Sequence, residues 1–231
     1  MFKYAKRIFA DFLLTIYPEN CLNCQRTLMS SEKYLCATCF LDLPVTNYHE
    51  DGENPLWQKL SYITQLDTAV AYLHFENQGI AQKLLHKLKY SSNPELGVFL
   101  GRNYGQTIKS QIECDMILPV PIHWKKRKKR GFNQSDFIAQ GIGEMLGVPT
   151  YPEVLVKRKD TESQTKKNRI LRHSDMSNAF RVLKPRLLVG QRVLLVDDVI
   201  TTGATVSALA EELIKFDVES ISICSLATGI K

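Results

Sequence analysis

The chain has 231 residues, 44% of them hydrophobic, enough for one full-sized core with a small appendage or for two small domains. It lacks the run of roughly eighteen apolar residues that a membrane-spanning helix needs. The net charge of +6 conceals an asymmetry: residues 123–186 hold sixteen of the 30 Lys and Arg and six of the 24 Asp and Glu, so this segment is +10 and the remainder −4. Such a segment fits an anionic partner, and a solvated, self-repelling surface is the plain alternative.

The chain opens with Phe2, Ala5, Ile8, Phe9, Phe12, Leu13 and Ile16 at helical spacing, opposite Lys3, Lys6 and Arg7, and Pro18 ends the pattern. Residues 1–18 are therefore expected to form an amphipathic helix. Its apolar face suits packing on the rest of the protein, and a basic amphipathic start also suits the membrane surface. No apolar stretch followed by a small-residue cleavage site marks a signal peptide. The expectation is a cytoplasmic chain, with this helix as the candidate for peripheral contact at the inner face of the membrane.

Two CxxC pairs follow, Cys21/Cys24 and Cys36/Cys39, eleven residues apart. Each pair can present two thiolates to one ion, and four thiolates suit zinc. Two disulfides or a redox pair are the alternatives. A cytoplasmic chain disfavours the first, and a redox CxxC normally stands alone beside a strand–helix unit. Residues 19–45 are thus expected to be a structural zinc module. Cys114 and Cys224, in strand-like surroundings, are expected to be small core residues. Residues 46–66, with Asp51, Gly52 and Pro55, are expected to be a linker.

From residue 67 to 231 strand and helix patterns alternate: "LDTAVAYLHF" a strand, "GIAQKLLHKLKY" and "ELGVFLGRNYGQTI" helices, "CDMILPVP" a short strand, "SDFIAQGIGEML" a helix ended by Gly147, "RVLLV" a strand, "ATVSALAEELIKF" a helix and "SISICSLA" a last strand. This order predicts a parallel α/β sheet covered on both faces. In such sheets ligands bind beyond the carboxyl ends of the strands.

The stretch "VLLVDDVITTGAT", residues 193–205, follows that rule. A buried strand delivers Asp197 and Asp198 to the edge, and Thr201, Thr202, Gly203, Ala204 and Thr205 turn into a helix. Backbone N–H groups and hydroxyls at a helix start suit a phosphate. Carboxylates would repel that phosphate, so they suit sugar hydroxyls or a divalent metal. A ligand with a central ribose and a terminal phosphate fits both halves. A Walker-type nucleotide site would need G-x-x-x-x-G-K-[ST], which is missing. A response-regulator pocket would have its acidic pair on the first strand. A surface acidic pair on a structural turn is the bland alternative.

This stretch resembles the 5-phosphoribosyl 1-pyrophosphate signature of type I phosphoribosyltransferases. The resemblance implies that Asp197 and Asp198 bind the ribose hydroxyls, that residues Thr201, Thr202, Gly203, Ala204 and Thr205 hold the 5-phosphate, and that Mg²⁺ accompanies the donor. It makes Pro121, Ile122, His123 and Trp124 a pyrophosphate loop. A wider resemblance runs through the amphipathic start, the four cysteines, "LKY", "RGFNQ" (Arg130 to Gln134), "QTKKNRILR" (Gln164 to Arg172) and the signature, in that order. It is to the ComF/GntX (ComFC) competence family, and Asp175 stands where that family usually carries Asn. The family is associated with natural transformation and single-stranded DNA, which implies DNA-uptake proteins such as a helicase or channel as partners.

Read from the residues, Lys125, Lys126, Arg127, Lys128, Lys129 and Arg130 cannot all face one pocket, so some must point outward. Trp124 and Phe132 flank them and could stack on bases, although Phe132, at the start of a helix, is better suited to the core. Residues 157–173 add seven cations, among them Lys167, Arg169 and Arg172 beside Gln164, and read as a mobile loop over the substrate. Two functions follow: a competence-type protein that binds the ribose donor and handles single-stranded DNA, or an active phosphoribosyltransferase acting on a nitrogen nucleophile. A purely structural zinc-organised adaptor ranks below both, because it leaves the signature unexplained.

Overall fold

The computed structural model describes residues 19–90, 93–157 and 179–231. The helix expected over 1–18 and, beyond Lys157, the loop expected over 157–173, with Gln164, Lys167, Arg169 and Arg172, lie outside the described residues. The described α-helices and strands in chain order are α1 (Ala37–Leu41), α2 (Pro55–Leu60), β1 (Leu66–His74), α3 (Ile80–Tyr90), α4 (Pro94–Ile108), β2 (Met116–Pro119), α5 (Trp124–Arg130), α6 (Gln134–Leu146), β3 (Leu155–Lys157), β4 (Phe180–Val182), β5 (Arg192–Ile200), α7 (Ala204–Ile214) and β6 (Ser220–Thr228).

Four strands form a sheet in the order β1–β6–β5–β2, and every pairing is parallel. Val193 to Val196 and residues 221–228 of the central strands are buried, as expected of strands covered on both faces. Each outer strand is partly covered: Val45 bridges Leu73 beside β1, and Thr150 bridges Ile117 beside β2. β3 and β4 form a separate antiparallel pair.

One face of the sheet is covered by α3, α4 and α6, through Leu84, Leu88, Leu100 and Ile142 among others. The helices α4 and α6 cross closely: a Cβ at Gly101 would overlap the carbonyl oxygen of Ile138, and one at Gly141 that of Val98. The cysteine segment packs into this same core through Cys21, Leu35, Cys36, Cys39 and Leu43. The other face is covered by α2, α7 and the β3–β4 pair, through Leu56, Leu60, Leu209, Leu213, Leu155 and Phe180.

Residues 46–66, expected as a linker, thus supply part of the second layer. The buried Asn54 fixes α2 in place. Its carbonyl oxygen accepts the N–H groups of Leu56 and Trp57 at 3.0 Å each, and its amide donates to the carbonyls of Tyr48, Asp51 and Ala69 at 2.9–3.0 Å. An Asn cap with proline at the first helical position is a strong start signal even for a helix this short.

Candidate ligand-binding edge of the sheet

β2 and β5 are neighbours in parallel register, Pro119 opposite Val196, and the Val120 N–H donates to the Val196 carbonyl at 2.8 Å. The two segments that leave these strands therefore emerge at one edge. After Val120, Pro121, Ile122 and His123 form a short half-buried connection, and the His123 ring nitrogen Nδ1 accepts the Lys125 N–H at 3.3 Å. Trp124 is already the first residue of α5.

β5 runs beyond "VLLV", through Asp197 and Asp198 to Ile200, because its partner β6 continues alongside it to Thr228. The two aspartates are adjacent in sequence and take different partners. Asp197 Oδ1 accepts the Asp198 N–H at 2.8 Å and the Ser135 hydroxyl at 3.3 Å. Burial first, and the charge of Asp198 second, push its carboxyl up to about 7. Asp198 is paired with Lys89 Nζ at 2.9 Å, both side chains mostly withdrawn from water. Lys89 comes from the "LKY" stretch on α3.

Thr201 and Thr202 are exposed, and Gly203 caps α7 with φ +82°. That backbone region suits glycine, and a Cβ at Gly203 would come within 2.7 Å of Leu60 Cδ2. The Thr202 hydroxyl oxygen accepts the Ala204 N–H at 3.4 Å. Asp197 and residues 199–206 line a cavity of about 40 Å³. First-turn N–H groups of a helix have no partner within the helix, so this end of α7 offers donors to an anion of phosphate size. The end of α2 and the residues just after it wall the turn, with Leu60 against Gly203 and the Tyr62 hydroxyl 2.6 Å from Ser207 Oγ.

"RGFNQ" joins the basic helix to the sheet. Gly131 closes α5 with φ +83° and donates its N–H to the Arg127 carbonyl at 2.8 Å. The Asn133 amide donates to the Val120 carbonyl at 3.0 Å and to Asp136 at 2.7 Å. Arg130 donates to Gln134 Oε1 at 2.9 Å. Phe132 packs on the core and meets Phe137 edge-on at 5.3 Å. α5 itself buries no residue, so Lys125, Lys126, Arg127, Lys128 and Lys129 surround it in solvent while Arg130 is half-buried. Trp124 is 44% exposed, with Lys125 Nζ 5.8 Å from its ring centre.

Cys21, Cys24, Cys36 and Cys39 form a cluster whose sulfur atoms all lie within 4.8 Å of one another, and none is in a disulfide. The sulfurs of Cys24 and Cys36 are 3.7 Å apart. That is near the edge of about 3.8 Å that four 2.3 Å metal–sulfur bonds define in a tetrahedron. The Cys36 N–H donates to Cys21 Sγ at 3.4 Å, and the Asn23 amide to Cys39 Sγ at 3.3 Å. These donors suit thiolates, so the cluster could hold a metal ion. Cys114 and Cys224 are buried, and burial pushes the Cys114 thiol up to about 11.

A parallel α/β sheet with an acidic pair and a hydroxyl-rich turn at one edge defines a domain of the type I phosphoribosyltransferase kind. Comparison with known proteins agrees: the phosphoribosyl transferase domain family matches residues 128–231. Over most of its length the chain is similar to competence protein F of Haemophilus influenzae, 29% identical across 90% of this chain and 89% of that protein. It is equally similar to the DNA utilization protein YhgH of Escherichia coli K12, 29% identical across 89% and 88%. Competence protein ComFC of Bacillus subtilis is 24% identical across 89% and 82%. The chain is thus similar to ComF-type proteins over about nine-tenths of its length. Among the described residues no helix is long and apolar enough to cross a membrane.

Proposed function

We propose that this chain is a DNA-handling protein of the competence type that binds 5-phosphoribosyl 1-pyrophosphate with Mg²⁺ at the β5–α7 edge and holds single-stranded DNA on α5. The observation that carries the reading is the parallel register of β2 and β5. It brings six consecutive cations and the Asp197–Thr205 turn to one edge of one sheet. On this reading Asp197 and Asp198 take the ribose hydroxyls, and the turn from Thr201 to Thr205 takes the 5-phosphate. The connection from Pro121 to Trp124 lies against the pyrophosphate. Mg²⁺, when bound, would neutralise the pyrophosphate beside the two carboxylates. The four cysteines hold a structural zinc, and the protein works in the cytoplasm.

Lys89 is part of the same machinery. Its ammonium group occupies Asp198 until a ligand or metal takes that carboxylate over. The names of the relatives, competence protein F and DNA utilization protein, support the DNA half of the reading. Calorimetry with the Mg²⁺ complex of the ribose donor tests the other half. Wild-type protein should bind it, and the Asp197→Ala, Asp198→Ala double variant should lose most of the affinity. Each charged hydrogen bond removed is worth about 1.5–3 kcal/mol, so a hundredfold loss or more is expected. Equal binding by both proteins would mean that the pocket lies elsewhere. Pyrophosphate release in the presence of free bases would turn the binding reading into one of phosphoribosyl transfer.

A further inference from the structure

The helix α3 buries Ala81, Leu84, Leu85 and Leu88 and turns Lys83, His86, Lys87 and Tyr90 to solvent. Those four positions follow the i, i+3, i+4, i+7 spacing of a single stripe. A solvated helix face usually mixes charges of both signs. This one carries no acidic residue, since "IAQKLLHKLKY" contains none.

Each end of the stripe continues into another surface. At its carboxyl end the Arg130 guanidinium lies 5.9 Å from the Tyr90 ring centre, and Arg130 is the last residue of the basic helix α5. The His86 ring centre lies 4.6 Å from that of the same Tyr90, tilted by 40°. At the amino end the stripe faces the cysteine module across an open groove lined by Leu22, Gln25, Gln82, Lys83, His86 and Lys87. Lys83 spans it, donating to Asn23 Oδ1 at 2.8 Å. Asn23 in turn donates to Cys39 Sγ. Cations and aromatic rings are thus present on α5, at the Arg130–Tyr90 contact, along about 10 Å of α3, and at the groove beside the cysteine cluster.

We infer that single-stranded DNA follows this course: from α5 over the Arg130–Tyr90 junction, along the outer stripe of α3, and into the groove against the cysteine module. The module then has a second task besides stability, since it forms one wall of the nucleic-acid surface. Interleaved cations and rings are what a sequence-tolerant single-strand site requires, with phosphates on Lys87 and Lys83 and bases against Tyr90 and His86. The inference rests on the reading of α5 as a DNA surface, and its test separates the two.

Fluorescein-labelled oligothymidine is titrated with full-length protein at several salt concentrations. The proteins are wild type, Tyr90→Ala, Tyr90→Phe, Lys87→Glu, and an α5 variant with Lys125, Lys126, Lys128 and Lys129 changed to Ala. Tyr90→Ala is expected to weaken binding about five- to a hundredfold, the range for removing one base–aromatic stack, while Tyr90→Phe stays within about twofold of wild type. Lys87→Glu is expected to weaken binding and to lower the log–log salt slope by about 0.7 or more. If Tyr90→Ala does not fold, Lys87→Glu carries the test alone. Wild-type affinity for Tyr90→Ala and Lys87→Glu, with a weakened α5 variant, overturns the path over α3 and leaves α5 as the DNA surface. Wild-type affinity for all variants overturns both.

Discussion

Asp197→Asn is expected to make the protein more stable above neutral pH while weakening the binding proposed for the ribose donor. The folded-state pKa of Asp197 is pushed up from an ordinary 3.8 to about 7 by burial and then by Asp198. Below pH 4 the group is protonated in both the folded and unfolded chain, and it has no effect on stability. Between pH 4 and pH 7 the folded state holds a proton that the unfolded state has released, so stability falls as pH rises. Above pH 7 the full cost is present. At about 1.4 kcal/mol per pH unit the difference is roughly 4 kcal/mol, or about 8 to 16 °C in melting temperature for a domain of this size. Partial contact with solvent makes this an upper figure. The Asn Oδ1 can still accept the Asp198 N–H and the Ser135 hydroxyl, so the substitution removes the charge and keeps both hydrogen bonds. Thermal melts of both proteins from pH 5 to pH 8.5 should diverge with rising pH, the variant melting higher. Parallel curves, or a variant that melts lower at pH 8, would refute the argument that Asp197 is held at a cost for binding.

Protein purified without added metal should contain close to one zinc per chain by elemental analysis. A content near zero with four freely reactive thiols in the module would refute the metal site. Cys21→Ser should lower the melting temperature, because Cys21 is fully buried in the core shared with α3 and α4, and donor affinity should suffer only through loss of folded protein. Changing Lys125, Lys126, Lys128 and Lys129 to Ala should flatten the salt dependence of single-strand binding, by about 0.7 in log–log slope for each phosphate no longer neutralised. Trp124→Ala should weaken binding by roughly 1–3 kcal/mol with the slope unchanged. A four-lysine variant with the wild-type slope would make the basic run a solvated surface.

The sheet was legible in the sequence because its strands are short apolar runs separated by helices with a clear apolar stripe. The termination of β5 was not. Two aspartates look like the end of a strand, since acidic residues are poor strand formers, yet pairing with β6 carries the strand through them to Ile200. The helix α5 is hidden because "WKKRKKR" has no apolar face, and periodicity is silent where nothing is buried. Its signals are the residues on either side, His123 as cap and Gly131 as stop. The helix α2 is six residues long and flanked by turn formers, so it reads as linker. The Asn54–Pro55 start and the Leu56–Leu60 spacing could have marked it. Lys89 stands in plain sight in "LKY", but its pairing with Asp198 joins distant parts of the chain, and only the fold brings them to 2.9 Å. Ser135 reaches Asp197 in the same way. The cysteine cluster needs no fold to be read, because its spacing alone limits what four thiols can do.

The most direct test of the account is a competition. Labelled oligothymidine bound to the wild-type protein is titrated with the ribose donor in the presence of Mg²⁺, and the same titration is run on the Asp197→Ala, Asp198→Ala variant. If both anions use one edge of the sheet, the donor displaces the strand from the wild type and fails to displace it from the variant. A strand that stays bound at saturating donor, in a protein shown by calorimetry to have bound that donor, would contradict the account.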